Sequence, residues 1–432
     1  MVCFQYRCNK ISYFCRSNLF FIVNVIPQIR IADYDYPLEQ SRIAQYPLPN
    51  RDMSKLLVYQ NGKISHCPFS HLPSLLNSKD LLIVNNSKVV KARMIFKKAT
   101  GASIEVLIIE PITPSDYALA FASHSSCMWK CIVGNLKRWK DGELTMFIES
   151  LNLQLKAIKK EEISDGVAVE FSWDNSSISF AEIIEGCGHV PIPPYLNRAS
   201  DESDSHNYQT VYSLPEGSVA APTAGFHFTR ELLNQITNNG IGIEQITLHV
   251  GAGTFKPVKA ETISEHEMHT EHFYVSRELL QRIKGYQGNI IAVGTTTLRT
   301  LESLYWLGVK LYLGYLPEGA MPSLGQWEAY GLPDAITLGQ SLEMLEQWLT
   351  DHSTSTIEAI TQLCIVPGYR FKTVDTLITN YHQPRSTLLL LVAAFIGNDW
   401  KRVYDYAMRH DFRFLSYGDS SILFREGLDK RF

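Results

Sequence analysis

Apolar runs closed by polar turns recur along the 432-residue chain. Asp80-Leu-Leu-Ile-Val84 and Asn289-Ile-Ile-Ala-Val-Gly294 read as buried strands, since both are short, continuous and followed by polar residues. Ile243 to Val250 alternates as a strand does. Before it, Thr229 is placed to cap a helix over Glu231–Ile236, with Gly240 as its stop. Further helices are predicted over Ser177–Glu185, from Thr295-Thr-Thr-Leu-Arg299 onward, over the amphipathic Leu342–Leu349, and over Leu388–Ile396 starting at Ser386 or Thr387. From about Ala92 to Phe171 the texture changes. Ile104–Ile109, Tyr117–Phe121, Leu144–Ile148, Leu153–Ala157 and Val167–Phe171 read as strands between short polar turns. The pattern predicts an α/β main domain carrying an inserted small all-β barrel.

Composition adds little against this. The chain is 45% apolar and 19% charged, with a formal net charge of −4, so it is no strongly basic nucleic-acid binder, although a local basic patch would still serve. Cysteines at 3, 8, 15, 67, 127, 131, 187 and 364 form no CxxC pair, which argues against a disulfide framework or zinc site and fits a reducing cytoplasm. Residues 1–29 read as a tail outside the core, or as translation begun upstream of the natural start. Their apolar run Leu19–Ile26 is too short to span a bilayer and lacks a small-x-small cleavage site. No other segment has the length of a membrane span.

Candidate chemistry gathers in residues 217–255. Gly217-Ser-Val-Ala-Ala-Pro-Thr-Ala-Gly-Phe-His-Phe-Thr229 and Thr247-Leu-His-Val-Gly-Ala-Gly-Thr-Phe255 each set small residues beside a histidine, so that a backbone can approach a ligand closely. A Rossmann nucleotide loop is rejected for the second stretch, because Lys256-Pro257 follows where a helix would have to open. Thr295-Thr-Thr at a helix start after Gly294 suits a carboxylate or ribose. Arg51 and Lys55 are either phosphate contacts or solvated charges. Arg198, Asp204, Tyr208 and Gln209 are either polar contacts or loop packing, and Asp419 is either catalytic or a turn residue. His266 and His269 would be neighbours on a helix, yet no HExxH pair or cysteine set accompanies them, so no metal is expected. Lys88, Lys91, Arg93, Lys97, Lys98, Lys130, Lys137, Arg138 and Lys140, interleaved with Trp129 and Trp139, form either a solvated basic face or an RNA surface.

The runs HVPIPPYLNR, NYQTVYS, GSVAAPTAGFHFT, TLHVGAGTFKPV and EHEMHTEH closely resemble the S-adenosylmethionine:tRNA ribosyltransferase-isomerase family of queuosine biosynthesis. Collinear matches run from RIAQYPLPNRDMSKLLV to FRFLSYGDSSILF. The resemblance implies a discontinuous catalytic domain of residues 30–91 and 175–432, an inserted barrel over 92–174, and a further insertion over 305–360, where this chain is longer than the family's usual form. It implies transfer and isomerisation of the ribosyl group of S-adenosylmethionine onto 7-aminomethyl-7-deazaguanine in tRNA, by a cytoplasmic monomer that needs no metal. Acid–base roles then fall to His227, His249, Glu271 and His382. Cofactor contacts fall to Thr223, Gly225, Gly251, Gly253, Thr254, Gly294, Thr295, Thr296 and Arg299, and tRNA contacts to Arg93, Lys97, Lys137 and Arg138. The chain departs from the family's usual form at Asn86, Ser87, Lys91, Tyr381, Gln383 and Arg385, which suggests a divergent branch. The rival readings are a paralogue acting on another nucleoside or acceptor, and a non-catalytic RNA-binding protein.

Overall fold

The structure, a computed structural model, describes residues 26–98, 100–140, 142–163, 166–214, 216–251, 258, 260–317 and 319–425. The main unit is a ten-stranded mixed sheet. Its first strands are β1 (Lys55–Gln60), β2 (Lys63–Pro68) and β3 (Leu81–Asn85). All five residues of β3 are buried, as expected of a strand covered on both faces. Alternate side chains feed two cores. Leu81 and Ile83 join the larger cluster with the Thr295–Tyr312 and Thr387–Ile396 helices. Leu82 and Val84 pack on the other face with Phe228, Leu232 and Ile236.

A short strand β4 (Lys88–Val89) leads into a second sheet. Its strands are β5 (Arg93–Lys97), β6 (Ser103–Thr113), β7 (Ser126–Gly134), β8 (Glu143–Ile148), β9 (Leu153–Ile163) and β10 (Gly166–Trp173). They pair antiparallel in the order β5-β6-β7-β10-β9-β8, and the two outer strands come back into contact, so the sheet nearly closes as a small barrel. Tyr117–Phe121 is a helix here, not the strand its apolar content suggests. Asp116 caps it by accepting from the Leu119 amide at 2.8 Å, and Tyr117, Ala120 and Phe121 are buried at helical spacing while Ala118 and Leu119 face solvent. Two barrel strands lie outside the expected runs: β5, and β7, where Cys127, Trp129 and Cys131 alternate into the barrel core. Trp129 and Trp139 are each 1% exposed, so neither offers a ring for stacking a base.

The chain returns through β11 (Glu216–Ser218), which pairs with β4, and then completes the main sheet. The remaining strands are β12 (Gly242–Leu248), β13 (Glu271–Ser276), β14 (Ile290–Val293), β15 (Ser323–Leu324), β16 (Thr356–Thr361), β17 (Thr376–Asn380) and β18 (Ser420–Phe424). The order is β15-β16-β13-β12-β3-β14-β17-β18-β1-β2. Thr229 and Ser386 cap the helices that follow them, as their positions predict. Residues 305–360 build part of this unit. The Leu338–Asp351 helix, with a Thr337/Gln340 capping box, packs on the Thr295–Tyr312 helix, and β16 pairs with β13. His266 and His269 lie outside any helix, between a 3-10 turn ending at Glu265 and β13. Among the described residues, no group of three or more His, Cys, Asp or Glu is placed to hold a metal, and no helix is long and apolar enough to cross a membrane.

Candidate functional site

Strands β12, β3, β14 and β17 are parallel, so their carboxyl ends emerge along one edge of the sheet. Ligands of open α/β sheets bind outside such an edge. A cleft of about 820 Å³, open on one side, lies there. Gly294, Thr295 and Thr296 wall it after β14, and Asn380, Tyr381, His382 and Gln383 after β17. The bend Ala220–Ala224 crosses it, with Val250, Tyr195, Tyr208 and Ser416. The two glycine-containing bends of the sequence do meet, since the amides of Val219 and Ala220 both donate to the Val250 carbonyl, at 2.9 and 3.1 Å. Gly253 and Thr254 lie outside the described residues.

Two helices begin at the cleft. Gly294, at φ +91°, turns the chain sharply from β14 into the 18-residue Thr295–Tyr312 helix, a backbone geometry that favours glycine. No side chain caps this helix, so its first amides remain available to an anionic group in the cleft. Thr297 is turned away, donating to the Val293 carbonyl at 2.7 Å. The second helix, Thr387–Ile396, is already capped by Ser386.

The four acid–base candidates are not equivalent. His382 lines the cleft, with Nε2 at 2.9 Å from Thr379 Oγ1, and burial pushes its pKa down to about 3. Its backbone is clamped by Tyr404 and Tyr36. His227 sits one layer behind. Asn380 Nδ2 donates to the Leu415 and Ser416 carbonyls, so its Oδ1 accepts from His227 Nε2 at 3.0 Å; His227 Nδ1 then accepts from Ser54 Oγ at 2.7 Å. Both ring nitrogens are thus engaged, and the ring stacks on Phe69. Burial, aided by Arg413 and Arg51, lowers its pKa to about 4.

His249 lies toward the barrel. Its Nδ1 is 3.0 Å from Ser87 Oγ, and its ring packs against Tyr117. Burial, with His272 nearby, brings it to about 4. A Cβ at Gly217 would stand 2.5 Å from that imidazole. Gly217→Ala should therefore lower stability by about 1–3 kcal/mol, read as a reduced midpoint in urea.

Glu271 is fully buried at the start of β13. Its carboxylate meets Arg299 Nη1 at 2.7 Å and His269 Nε2 at 3.1 Å. Burial alone would raise its pKa; Arg299 and His269 more than offset this and hold it low. Arg299 also donates from Nε to the Leu363 carbonyl. The pair stands behind the Thr295 helix start, not on the cleft wall.

Thr223, Gly294, Thr295 and Thr296 line the cleft; Gly225 and Gly251 do not. Gly225 has a packing reason of its own, since a Cβ there would meet the Tyr212 hydroxyl at 2.0 Å. On the barrel, Lys97, Lys137 and Arg138 are exposed, whereas Arg93 is held by both oxygens of Glu105 at 2.7 and 2.8 Å. Arg51 donates to the carbonyls of His206, Asn207 and Gln209, and Lys55 to those of His410 and Asp411. Asp419 accepts from the amides of Lys55 and Arg413, which makes it a loop brace. Arg198 pairs with Asp204, and Gln209 pins the Val89 backbone. Sequence reasoning missed Tyr195, Asn380 and Ser416 as wall residues. Asn380 was the most findable, as a polar residue ending a buried strand.

A family model described as "Queuosine biosynthesis protein" matches residues 31–423. The S-adenosylmethionine:tRNA ribosyltransferase-isomerase of Halothermothrix orenii is 36% identical over 403 residues, covering 91% of this chain and 100% of that protein. The Sulfurihydrogenibium sp. protein of the same name is 36% identical over 410 residues, with the same two coverages. A crystal structure of S-adenosylmethionine tRNA ribosyltransferase from Thermotoga maritima is 28% identical, with a TM-score of 0.42, covering 90% of this chain and 99% of that one. A match running from the first 3-10 turn to the last strand leaves one conclusion: the chain belongs to the S-adenosylmethionine:tRNA ribosyltransferase-isomerase family.

Proposed function

We propose that the protein transfers and isomerises the ribosyl group of S-adenosylmethionine onto the 7-aminomethyl-7-deazaguanine base of tRNA, giving epoxyqueuosine-tRNA with release of adenine and methionine. One observation carries the reading: family-like runs far apart in sequence, around 195, 208, 220, 250, 294, 380 and 416, converge on a single cleft. The chemistry needs a base for the carbon beside the sulfonium, an uncharged amine and exclusion of water. His382 is neutral at pH 7, because burial holds its pKa near 3, so it has no proton to supply there; its place on the cleft wall makes it the base candidate, although so low a pKa makes the free ring a weak base. The amides opening the Thr295 helix receive the methionine carboxylate. The face of Tyr195, half-buried in the cleft wall, receives the sulfonium or the purine, with the fully buried Tyr208 packed behind it. His227 and His249 act by holding Asn380 and the second bend in place. Lys97, Lys137 and Arg138 on the barrel remain available to a tRNA backbone. The protein works as a cytoplasmic monomer.

Incubation with S-adenosylmethionine and precursor-bearing tRNA, followed by mass spectrometry of the tRNA, tests the proposal. Adenine release should depend on that tRNA, and His382→Ala should lower kcat by about 10²–10⁴-fold, the range for a lost general base. A second reading has its own support: Tyr381 and Gln383, two departures from the family's usual form, both touch the cleft. Adenine release with a different RNA, and none with the precursor-bearing tRNA, would select a paralogue acting on another acceptor.

A further inference from the structure

Behind the cleft lies a second, smaller hollow of about 220 Å³, most of it open mouth, whose floor has room for little more than one water, so a larger group is met at the rim. Its wall includes Pro47, Arg51, His227, Arg413 and Ser416, and Ser416 is shared with the cleft. Two guanidinium groups therefore border one small space. Arg51 is fixed by three backbone carbonyls. Arg413 is held only loosely, by the Tyr46 carbonyl at 3.4 Å and by Asp419 at 3.8 Å. Its side chain is 30% exposed. Among the described residues, no carboxylate lines the hollow. Both cations act on His227, which they help to keep unprotonated. At the rim stands Tyr46, 45% exposed, with the Arg198 guanidinium 4.1 Å beneath its ring. Arg198 in turn is anchored by Asp204. The rim thus offers a rigid aromatic face beside a loosely held cation, which is what a nucleic-acid strand requires: a plane to stack on and a charge for its backbone.

We propose that the mouth of the Arg413–Arg51 hollow binds a phosphodiester of the acceptor RNA, with Arg413 supplying the contact, Arg51 adding charge from behind, and Tyr46 as the stacking platform for a neighbouring base. The proposal rests on the RNA-acceptor reading above. The His227–Asn380 pair and Ser416 form the partition between hollow and cleft, so the two lie on either side of one layer of side chains and adjacent nucleotides of one strand would serve both. Arg413 is the group free to reorient onto the phosphate, because its present bonds are long. The RNA then docks over residues 46–54 and 413–418 as well as against the barrel.

The test is equilibrium binding of precursor-bearing tRNA by wild type, R413Q and R413K between 50 and 300 mM salt, alongside calorimetry of S-adenosylmethionine alone. R413Q should bind tRNA about tenfold more weakly and lower the slope of log affinity against log salt by about one, while R413K recovers most of the slope. Binding of S-adenosylmethionine should be unchanged. An unchanged slope in R413Q overturns the proposal. So does weaker binding of S-adenosylmethionine, which would assign Arg413 to the methionine carboxylate. Binding is read without turnover, so failure of the subsite is distinct from failure of the enzymatic reading, which appears as absent adenine release from wild type.

Discussion

Replacing Arg299 by leucine should destabilise the protein by about 3–5 kcal/mol, the range for leaving one partner of a buried ion pair uncompensated. Glu271 would then keep a desolvated carboxylate with only His269 beside it, and the Leu363 carbonyl would lose its donor. The same loss should reach the cleft, because Arg299 stands one turn into the helix whose first residues form its wall. Denaturation in urea checks the first part. The double substitution Arg299→Leu with Glu271→Leu should recover much of the stability, since removing both charges avoids the orphaned one. Equal losses in the single and double variants would mean the pair is not coupled.

The second large effect is a loss of stability in mild acid. His227 and His249 have pKa values near 4 in the folded protein, against about 6.5 in an unfolded chain. Above pH 6.5 both states are neutral and the contribution is fully present. As pH falls from 6.5 toward 4, the unfolded chain takes up protons that the folded one refuses, and stability declines by up to about 3 kcal/mol for each ring. His382 extends the same trend toward pH 3. Glu271, held below its ordinary value, adds a further loss as it finally protonates. Urea unfolding at pH 7.5, 6 and 5 should show this decline, and His227→Gln should reduce its steepness by close to one proton. An identical pH slope in that variant would mean His227 is not buried as a neutral ring.

Sequence carried the main sheet well, for a physical reason. Strands β3 and β14 are buried on both faces, so their apolar runs are unbroken, and each ends at a polar turn. Helix starts at Thr229 and Ser386 were legible because a cap bond spans only three residues. The orientation of the histidines was not. His227 lies among small residues in the sequence, which suits a ligand site equally well, and only Asn380, 153 positions away, decides that its ring faces inward. Tyr117–Phe121 misled because its period is too short to distinguish strand from helix, and Asp116 settled the matter locally. On the barrel, Lys97, Lys137 and Arg138 do face solvent, whereas Trp129, Trp139 and Arg93 do not stand free as the composition suggested. Strand alternation sends Trp129 inward, and Glu105 claims Arg93, so composition overstated what that surface presents.

The pairing of β1 with β18 joins residues 56–59 to residues 420–423. While the chain is being synthesised, the N-terminal segment of the main sheet must wait for nearly the whole polypeptide before its neighbour exists. The barrel, made of sequential antiparallel partners, is free of that delay and can mature first. The cleft is then completed late, because β17 and the 415–416 loop join its wall only when the last strands pair, whereas the 220–224 bend is already tied to Val250. A ribosome-stalled chain halted before residue 376 should hold a finished barrel and an unfinished cleft, read as protease resistance confined to residues 92–174.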